Sequence, residues 1–468
     1  MVNAKNQTTY YIYDTDNSRP TMTYQSGIAS VSYSYSSDGR LSELDRKTFR
    51  SGTELHQYYN FAYNLWGQQT GIQVGSQNLA TYTYEDISED SSAQGKGGGN
   101  LKKLTYGNGQ YVEYTYDEFD RLVKMVYNSG RYVTYTYNAE GSLAKLTYGD
   151  GTTEKGSYTF EYDSLGRSVR STEYRAGSLL QRTEHLYDAY NRLYIQRWVM
   201  GGKSRSEKYT YSDGANGDGS LTQLKTGSGY KINYTYDGLK RLQTATVANS
   251  SDVELFKTAY AFRSVSGNQS SAQVQYRNVR TIEGDLILGY KYSYDALGNI
   301  TQISQSEGSY YPLVKYTYDN QNQLTKETYY DGAGNTTDNI TKTITYTYDT
   351  AGNILSETKT VGTTTTTKNY TYSEGNWKDL LTQVGNTTIS YDGGNPTNWY
   401  NGSKTYTGLT WTNGRQLTSV TVGSKTATYA YDADGRPHPE DRRRCDPHLS
   451  DVGRKVGAGE LRQCHHGF

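Results

Sequence analysis

The stretch YVEYTYDEFDRLVKMVY, residues 111–127, decides the fold. Tyr114, Thr115 and Tyr116 alternate with period two, which puts both rings on one face of a strand and the β-branched residue on the other. Asp117 then opens a reversal, because an aspartate can bond the backbone two residues on, and the following position suits a residue that tolerates positive φ. Leu122 resumes an extended run. The segment therefore reads as strand, tight turn, strand.

The same unit recurs along the chain: Tyr-x-Tyr-Asp, two residues, Gly or Asn, then Arg, Asn or Gln, then Leu or Ile. Clear copies stand at Tyr236, Asp237 and Arg241, at Tyr294, Asp295 and Gly298, at Tyr316, Tyr318 and Asp319, at Tyr348, Asp349 and Gly352, and at Tyr431, Asp432 and Gly435. Arg121 completes the copy at Tyr116. From Tyr116 through Tyr137, Tyr162, Tyr187 and Tyr211 to Tyr236 the second tyrosine returns after 21, 25, 25, 24 and 25 residues. Two short strands and two turns fill that period. The second strands alternate as well, with Leu143, Lys145 and Thr147 set against Ala144, Leu146 and Tyr148. A lone hairpin is marginal in water, so the units must pair side by side into one long sheet whose stability is a nearest-neighbour property. The expected fold is all-β, consecutive hairpins forming a spiralling sheet or partial hollow shell.

Composition agrees with a tyrosine core. Only 34% of the 468 residues are apolar, yet 51 are Tyr. A tyrosine ring buries a large apolar area while its hydroxyl finds water or a partner. Lys plus Arg and Asp plus Glu both number 48, so no basic stripe points to nucleic acid. No stretch approaches a membrane span, and the first residues lack the apolar core of a signal peptide.

The chain divides by pattern. Residues 1–84 hold degenerate copies, including a tryptophan variant at Tyr63, Trp66 and Gly67; residues 85–100 are Ser- and Gly-rich and read as a loop or linker; strict hairpin repeats fill 101–436. Residues 437–468 break the pattern, with no Tyr, four of the six His, both Cys, and Arg442, Arg443 and Arg444 in a row. Read one base out of frame from His438, codons compatible with this tail permit a string that restores turn residues, alternation and two tyrosines. The tail is therefore expected to be out of frame and disordered, with the last hairpin lacking its second strand.

Candidate chemistry is sparse. Cys445, Cys464, His465 and His466, with His438 and His448, have the residue types of metal ligands but the spacing of no standard zinc module, so neither metal nor cofactor is assigned. An identical carboxylate beside the turn in every repeat is what turn geometry requires, whereas catalysis needs one distinctive constellation. No enzyme motif stands out. Two readings of the aromatic ladders remain: core or shell lining, or an exposed surface for sugar or protein, with Trp66, Trp198, Trp377, Trp399 and Trp411 as first candidates.

The serial motif resembles the Rhs/YD-repeat family, which includes bacterial Rhs and wall-associated proteins, insecticidal toxin-complex subunits and teneurins. The resemblance covers nearly all of residues 10–436. It implies a hairpin strip spiralling into a shell, which in bacterial members encloses a C-terminal toxin and in teneurins contributes to adhesion. It further implies a scaffold role, a cargo or toxin domain of the same larger protein or a neighbouring chain as partner, and a secreted or cell-surface location. Carbohydrate or a cell-surface protein is the alternative partner. The family's core-associated segment with its autocleavage aspartates has no counterpart here, so neither self-cleavage nor toxicity is carried over.

Overall fold

The computed structural model describes all residues except 4–7, 26–29, 86–98, 214–216, 266–268, 307–308, 332–338, 374, 432–436 and 439–468. It is all-β. Among the described residues there is no helix, and none is long and apolar enough to cross a membrane. An antiparallel sheet of 31 strands begins at Thr9–Tyr13 and ends at Thr387–Thr388, each strand pairing with the next in sequence. A four-stranded sheet, Trp399–Tyr400 through Lys425–Thr428, follows.

Two kinds of turn alternate, so all turns of one kind lie along one edge of the strip. On one edge are the Tyr-Asp corners. At the corner after Tyr111–Tyr116, Asp117 N–H donates to the Arg121 carbonyl at 3.0 Å, and Asp120 N–H to the Asp117 carbonyl at 3.1 Å. The fourth corner residue takes positive φ, as Gly in Gly298 (+91°) and Gly352 (+89°) but also as Asp120 (+60°) and Lys240 (+62°). Such three-residue loops close hairpins with a bulge. The bulge recurs where the second tyrosine pairs, with register shifts between Thr136 and Tyr137 and between Thr235 and Tyr236. On the other edge are plain turns. Several are two-residue turns with both residues at positive φ, such as Ser51–Gly52 and Ala176–Gly177, whose twist matches that of the flanking strands.

Period two fixes the faces. Thr115, Thr136, Thr210, Thr235, Thr317, Thr347 and Thr371 are exposed, while the tyrosines beside them are half-buried on the opposite face. Val133, Leu146 and Tyr148 form a buried cluster there, with Met125, Tyr135, Tyr158 and Phe160 packed against it.

Residues 85–100 interrupt no strand pairing. Tyr84 pairs with Leu101, and Glu85 N–H donates to the Asn100 carbonyl at 2.9 Å, the bond that Asp117 makes to Arg121. The segment is thus an enlarged Tyr-Asp corner; its interior, 86–98, lies outside the described residues. At the end of the described chain, Ala430–Tyr431 pairs with Pro437–His438. Residues 439–468, with Cys445, His448, Cys464, His465 and His466, lie outside the described residues.

Candidate functional site: the corner lattice and the seam between turns

Each Tyr-Asp corner is a small polar lattice that grips the following hairpin. Asp117 Oδ1 accepts from the backbone N–H groups of Phe119 and Arg121, both at 3.0 Å, and Oδ2 accepts from Arg121 Nε at 2.8 Å. Held this way, the Arg121 guanidinium lies 4.6 Å from the centre of the Tyr137 ring, one hairpin further on. The Tyr137 hydroxyl donates to the Leu122 carbonyl at 2.8 Å. Two links therefore join successive units, guanidinium to ring and hydroxyl to backbone, and the corner's own carboxylate holds the guanidinium in place for the first of them.

The lattice repeats. Arg167, held by Asp163, lies 4.5 Å from the Tyr187 ring, and Arg192, held by Asp188, 4.3 Å from the Tyr211 ring. Arg241, held by Asp237, faces Phe262 at 4.1 Å, a phenylalanine where other units carry tyrosine. Tyr116 donates to Leu101, Tyr236 to Leu221, Tyr294 to Val274, Tyr348 to Leu324 and Tyr431 to Leu417, at 2.6 to 3.0 Å. At Asp295 and Asp349 an asparagine replaces the arginine, and Asn299 and Asn353 donate to the carboxylates at 3.0 and 2.9 Å. Asp432 and Gly435 lie outside the described residues.

Electrostatics follow the geometry. The hydrogen bond from Arg121 holds the Asp117 carboxyl below the usual range, as Arg167 does for Asp163 and Arg241 for Asp237. Burial pushes the Tyr114 phenol up to about 12. Burial and a bond to Glu207, at 3.0 Å, push Tyr209 to about 12. Glu327 accepts from both Tyr329 and Tyr346, and both phenols are raised by burial first and by that carboxylate second.

A second arrangement is not local at all. The strip comes back onto itself, and side chains 284 to 333 positions apart meet. Arg50 Nε lies 3.1 Å from Asp349 Oδ2, and its Nη2 donates to the Lys378 carbonyl at 2.9 Å. The Asp349 side chain is fully buried and that of Arg50 is 13% exposed. Arg46 pairs with Asp379 at 3.2 Å, and Gln57 donates to the Asn376 carbonyl at 2.9 Å. Further along, Gln110 bonds both the Trp411 carbonyl and Gly414 N–H, Ser129 meets Asn413, and Arg131 reaches Gln416 and the Tyr431 carbonyl. In each case the plain edge of the first turn carries the Tyr-Asp edge of the second. Strands lie about 4.8 Å apart, so the strands from Leu41–Arg50 to Ile354–Val361 make a circuit on the order of 115 Å and a ring on the order of 35 Å across.

The tryptophans do not converge. Trp66 is 60% exposed on a Tyr-Asp-type corner of the first turn, and Trp198 is half-buried in the strand Leu193–Met200. Trp377 lies against Gly394 within the seam region, Trp411 donates to the Pro396 carbonyl at 2.7 Å, and Trp399 is 37% exposed on a short strand. The best-formed depression, about 190 Å³, is a shallow groove between the neighbouring corners at Asp319 and Asp349. Among the described residues no group of His, Cys, Asp and Glu is arranged to hold a metal ion.

Known proteins place this geometry. The RHS Repeat family model matches residues 98–132 and 294–333, which contain the corners at Asp117, Asp295 and Asp319. The chain carries RHS repeats. No curated protein matches the sequence. Among solved structures, this chain is similar to the TcdB2-TccC3-Cdc42 crystal structure (14% identity, TM-score 0.51, 93% of this chain and 26% of that chain). It is also similar to TcdB2-TccC3 (16%, 0.51, 93% and 26%) and to the Photorhabdus luminescens Tc holotoxin pore (16%, 0.54, 93% and 24%). At such identities the likeness is one of fold. This chain spans about a quarter of the length of these chains.

Proposed function

We propose that this chain is a wall segment of an RHS-repeat shell, a structural part that encloses or displays a cargo domain belonging to the same larger protein or to a neighbouring chain. The seam carries the reading: Arg50 and Asp349 key the second turn of the strip onto its first, as a wall closing round an interior requires. The repeat family and the folds of the solved toxin assemblies support a scaffold role. The lattice spends its carboxylates, guanidiniums and phenols on one another, an economy that suits a wall. Secretion or surface exposure with the longer assembly belongs to the same proposal.

A protection assay tests it. A disordered reporter segment bearing one thrombin site is fused behind Phe468 and its cleavage rate compared with that of the free reporter. Cleavage slowed at least ~10-fold, and restored when Arg46→Glu and Arg50→Glu open the seam, supports enclosure; equal rates in fusion and free reporter overturn it.

A further inference from the structure

In four corners one slot is filled by the corner's own arginine. Arg121, Arg167, Arg192 and Arg241 each stand between the corner aspartate and the ring one hairpin on, with Nε 2.7 to 2.8 Å from the carboxylate and the guanidinium 4.1 to 4.6 Å from the ring centre. The Asp349 corner has Asn353 in the arginine's place, and there the slot is filled from a distance. Arg50 brings Nε to 3.1 Å from Asp349 Oδ2 and its guanidinium to 5.0 Å from the Tyr372 ring. Tyr372 is the equivalent ring, since its hydroxyl donates to the Ile354 carbonyl at 3.0 Å as that of Tyr137 does to Leu122. A corner without an arginine of its own thus accepts one carried by another segment.

The Asp319 corner also lacks the arginine, and Gln323 stands in its place. Asp319 accepts from Gln321 and Gln323 N–H at 2.7 and 2.9 Å, both through Oδ1, and among the described residues no side chain donates to Oδ2. The Gln323 amide lies against Gly352 of the next corner. The ring is in position: the Tyr348 hydroxyl donates to the Leu324 carbonyl at 2.7 Å. Where four corners hold a guanidinium, this one forms the groove of about 190 Å³, lined by Asp319, Gln323 and Tyr348 among others. Burial raises the Tyr348 phenol and the charge of Asp319 adds to it, whereas at Tyr211, in a filled corner, Arg192 opposes the rise.

We propose that the Asp319 corner is a socket for an arginine side chain presented by a partner polypeptide, with Nε–H on Asp319 Oδ2 and the guanidinium face on the Tyr348 ring. Arginine fits because its planar head bonds a carboxylate along its edge while stacking on an aromatic face; a lysine ammonium is a point charge without that plane. A polypeptide is the carrier because Arg50, which fills the same slot at Asp349, comes on a turn whose neighbour Phe49 adds bonds to Thr350. The socket does not depend on whether the wall encloses a cargo.

Saturation-transfer difference NMR on the full chain tests it, with an acetylated, amidated peptide of the sequence Thr48–Thr53 as probe. The peptide should bind at least ~10-fold more tightly than its lysine counterpart or free L-arginine, and at least ~10-fold less tightly to Asp319→Asn and to Gln323→Arg, in line with the loss of a charged hydrogen bond. Gln323→Arg installs the residue that four other corners carry, so it keeps the fold while filling the slot. Unchanged affinity in Gln323→Arg, equal binding of the lysine peptide, or no transfer to the arginine peptide at about 10 mM overturns the proposal. Free L-arginine binding as tightly as the peptide overturns the polypeptide as carrier.

Discussion

The carboxylate of Asp349 does two things at once: it closes its own corner by accepting from Ala351 and Asn353 N–H at 2.9 Å, and it receives Arg50 from 299 residues earlier. A corner motif that is local elsewhere is here also a long-range lock. Removing the arginine leaves a buried carboxylate short of its cation, a change that costs about 3–5 kcal/mol. In a strip of nearest-neighbour units the loss should stay near the seam. Hydrogen exchange of Arg50→Ala should show protection falling in Asp349–Val384 and unchanged in Leu221–Ala248; uniform loss would mean that the turns do not dock independently of the strip.

The hydroxyl of Tyr137 should be worth an ordinary hydrogen bond. Tyr137→Phe keeps the ring beneath Arg121 and removes only the bond to Leu122. Urea unfolding should place it about 1 kcal/mol below the parent. Combined with Tyr236→Phe, several hairpins away, the losses should add to within about 0.5 kcal/mol. Strong coupling between them would contradict the nearest-neighbour picture.

How much of this could be read in advance differs by element. The period-two run at Tyr114–Tyr116 and the turn chemistry at Asp117 made the hairpin legible, since strand alternation and positive-φ tolerance are local properties. The link from Arg121 to Tyr137 has its signal in an arginine at a fixed offset from the corner aspartate with a ring one repeat later, a relation between repeats that strand alternation alone does not show. The Ser- and Gly-rich composition of 85–100 marks a loop or linker, and composition alone does not say that Glu85 and Asn100 meet as the two sides of one corner. The Arg50–Asp349 pair left no local trace. Its partners belong to ordinary repeats, and only the curvature of the whole strip brings them together.

The corner backbone is also open to test. Gly298 has φ of +91°, where an L side chain is strained, and an added Cβ would meet only the mobile end of Gln273. The cost of Gly298→Ala is therefore mostly conformational, about 1–2 kcal/mol. Thermal unfolding should show that loss, and it should exceed the loss in Ala296→Gly, a position of the same corner outside the positive-φ region. Equal effects would remove the φ argument.

Both ends of the pH scale should unfold the lattice. Asp117, Asp163 and Asp237 have folded pKa values below 3.8, so the stability they contribute is complete above that value and is lost as pH falls through the depressed ones. The tyrosines shift the other way. Tyr114, Tyr209 and Tyr372 rise from 10.0 to about 12, so the folded state holds protons longer and stability is lost as pH climbs through that window. Ultraviolet titration should show these phenols ionising together with loss of the β-sheet circular dichroism signal. Phenols titrating near 10 in a folded chain would contradict their burial.

The turn-on-turn spiral is tested most directly by one distance. With Cys445 and Cys464 changed to Ser, spin labels at Asn128→Cys and Arg415→Cys report on two exposed positions that flank the contact between Ser129 and Asn413. Double electron–electron resonance should give a narrow distribution within roughly 25 Å, because the turns stack at that point; a strip running on without curling would hold the labels on the order of 100 Å apart, and a signal with no distance below about 60 Å would contradict the spiral.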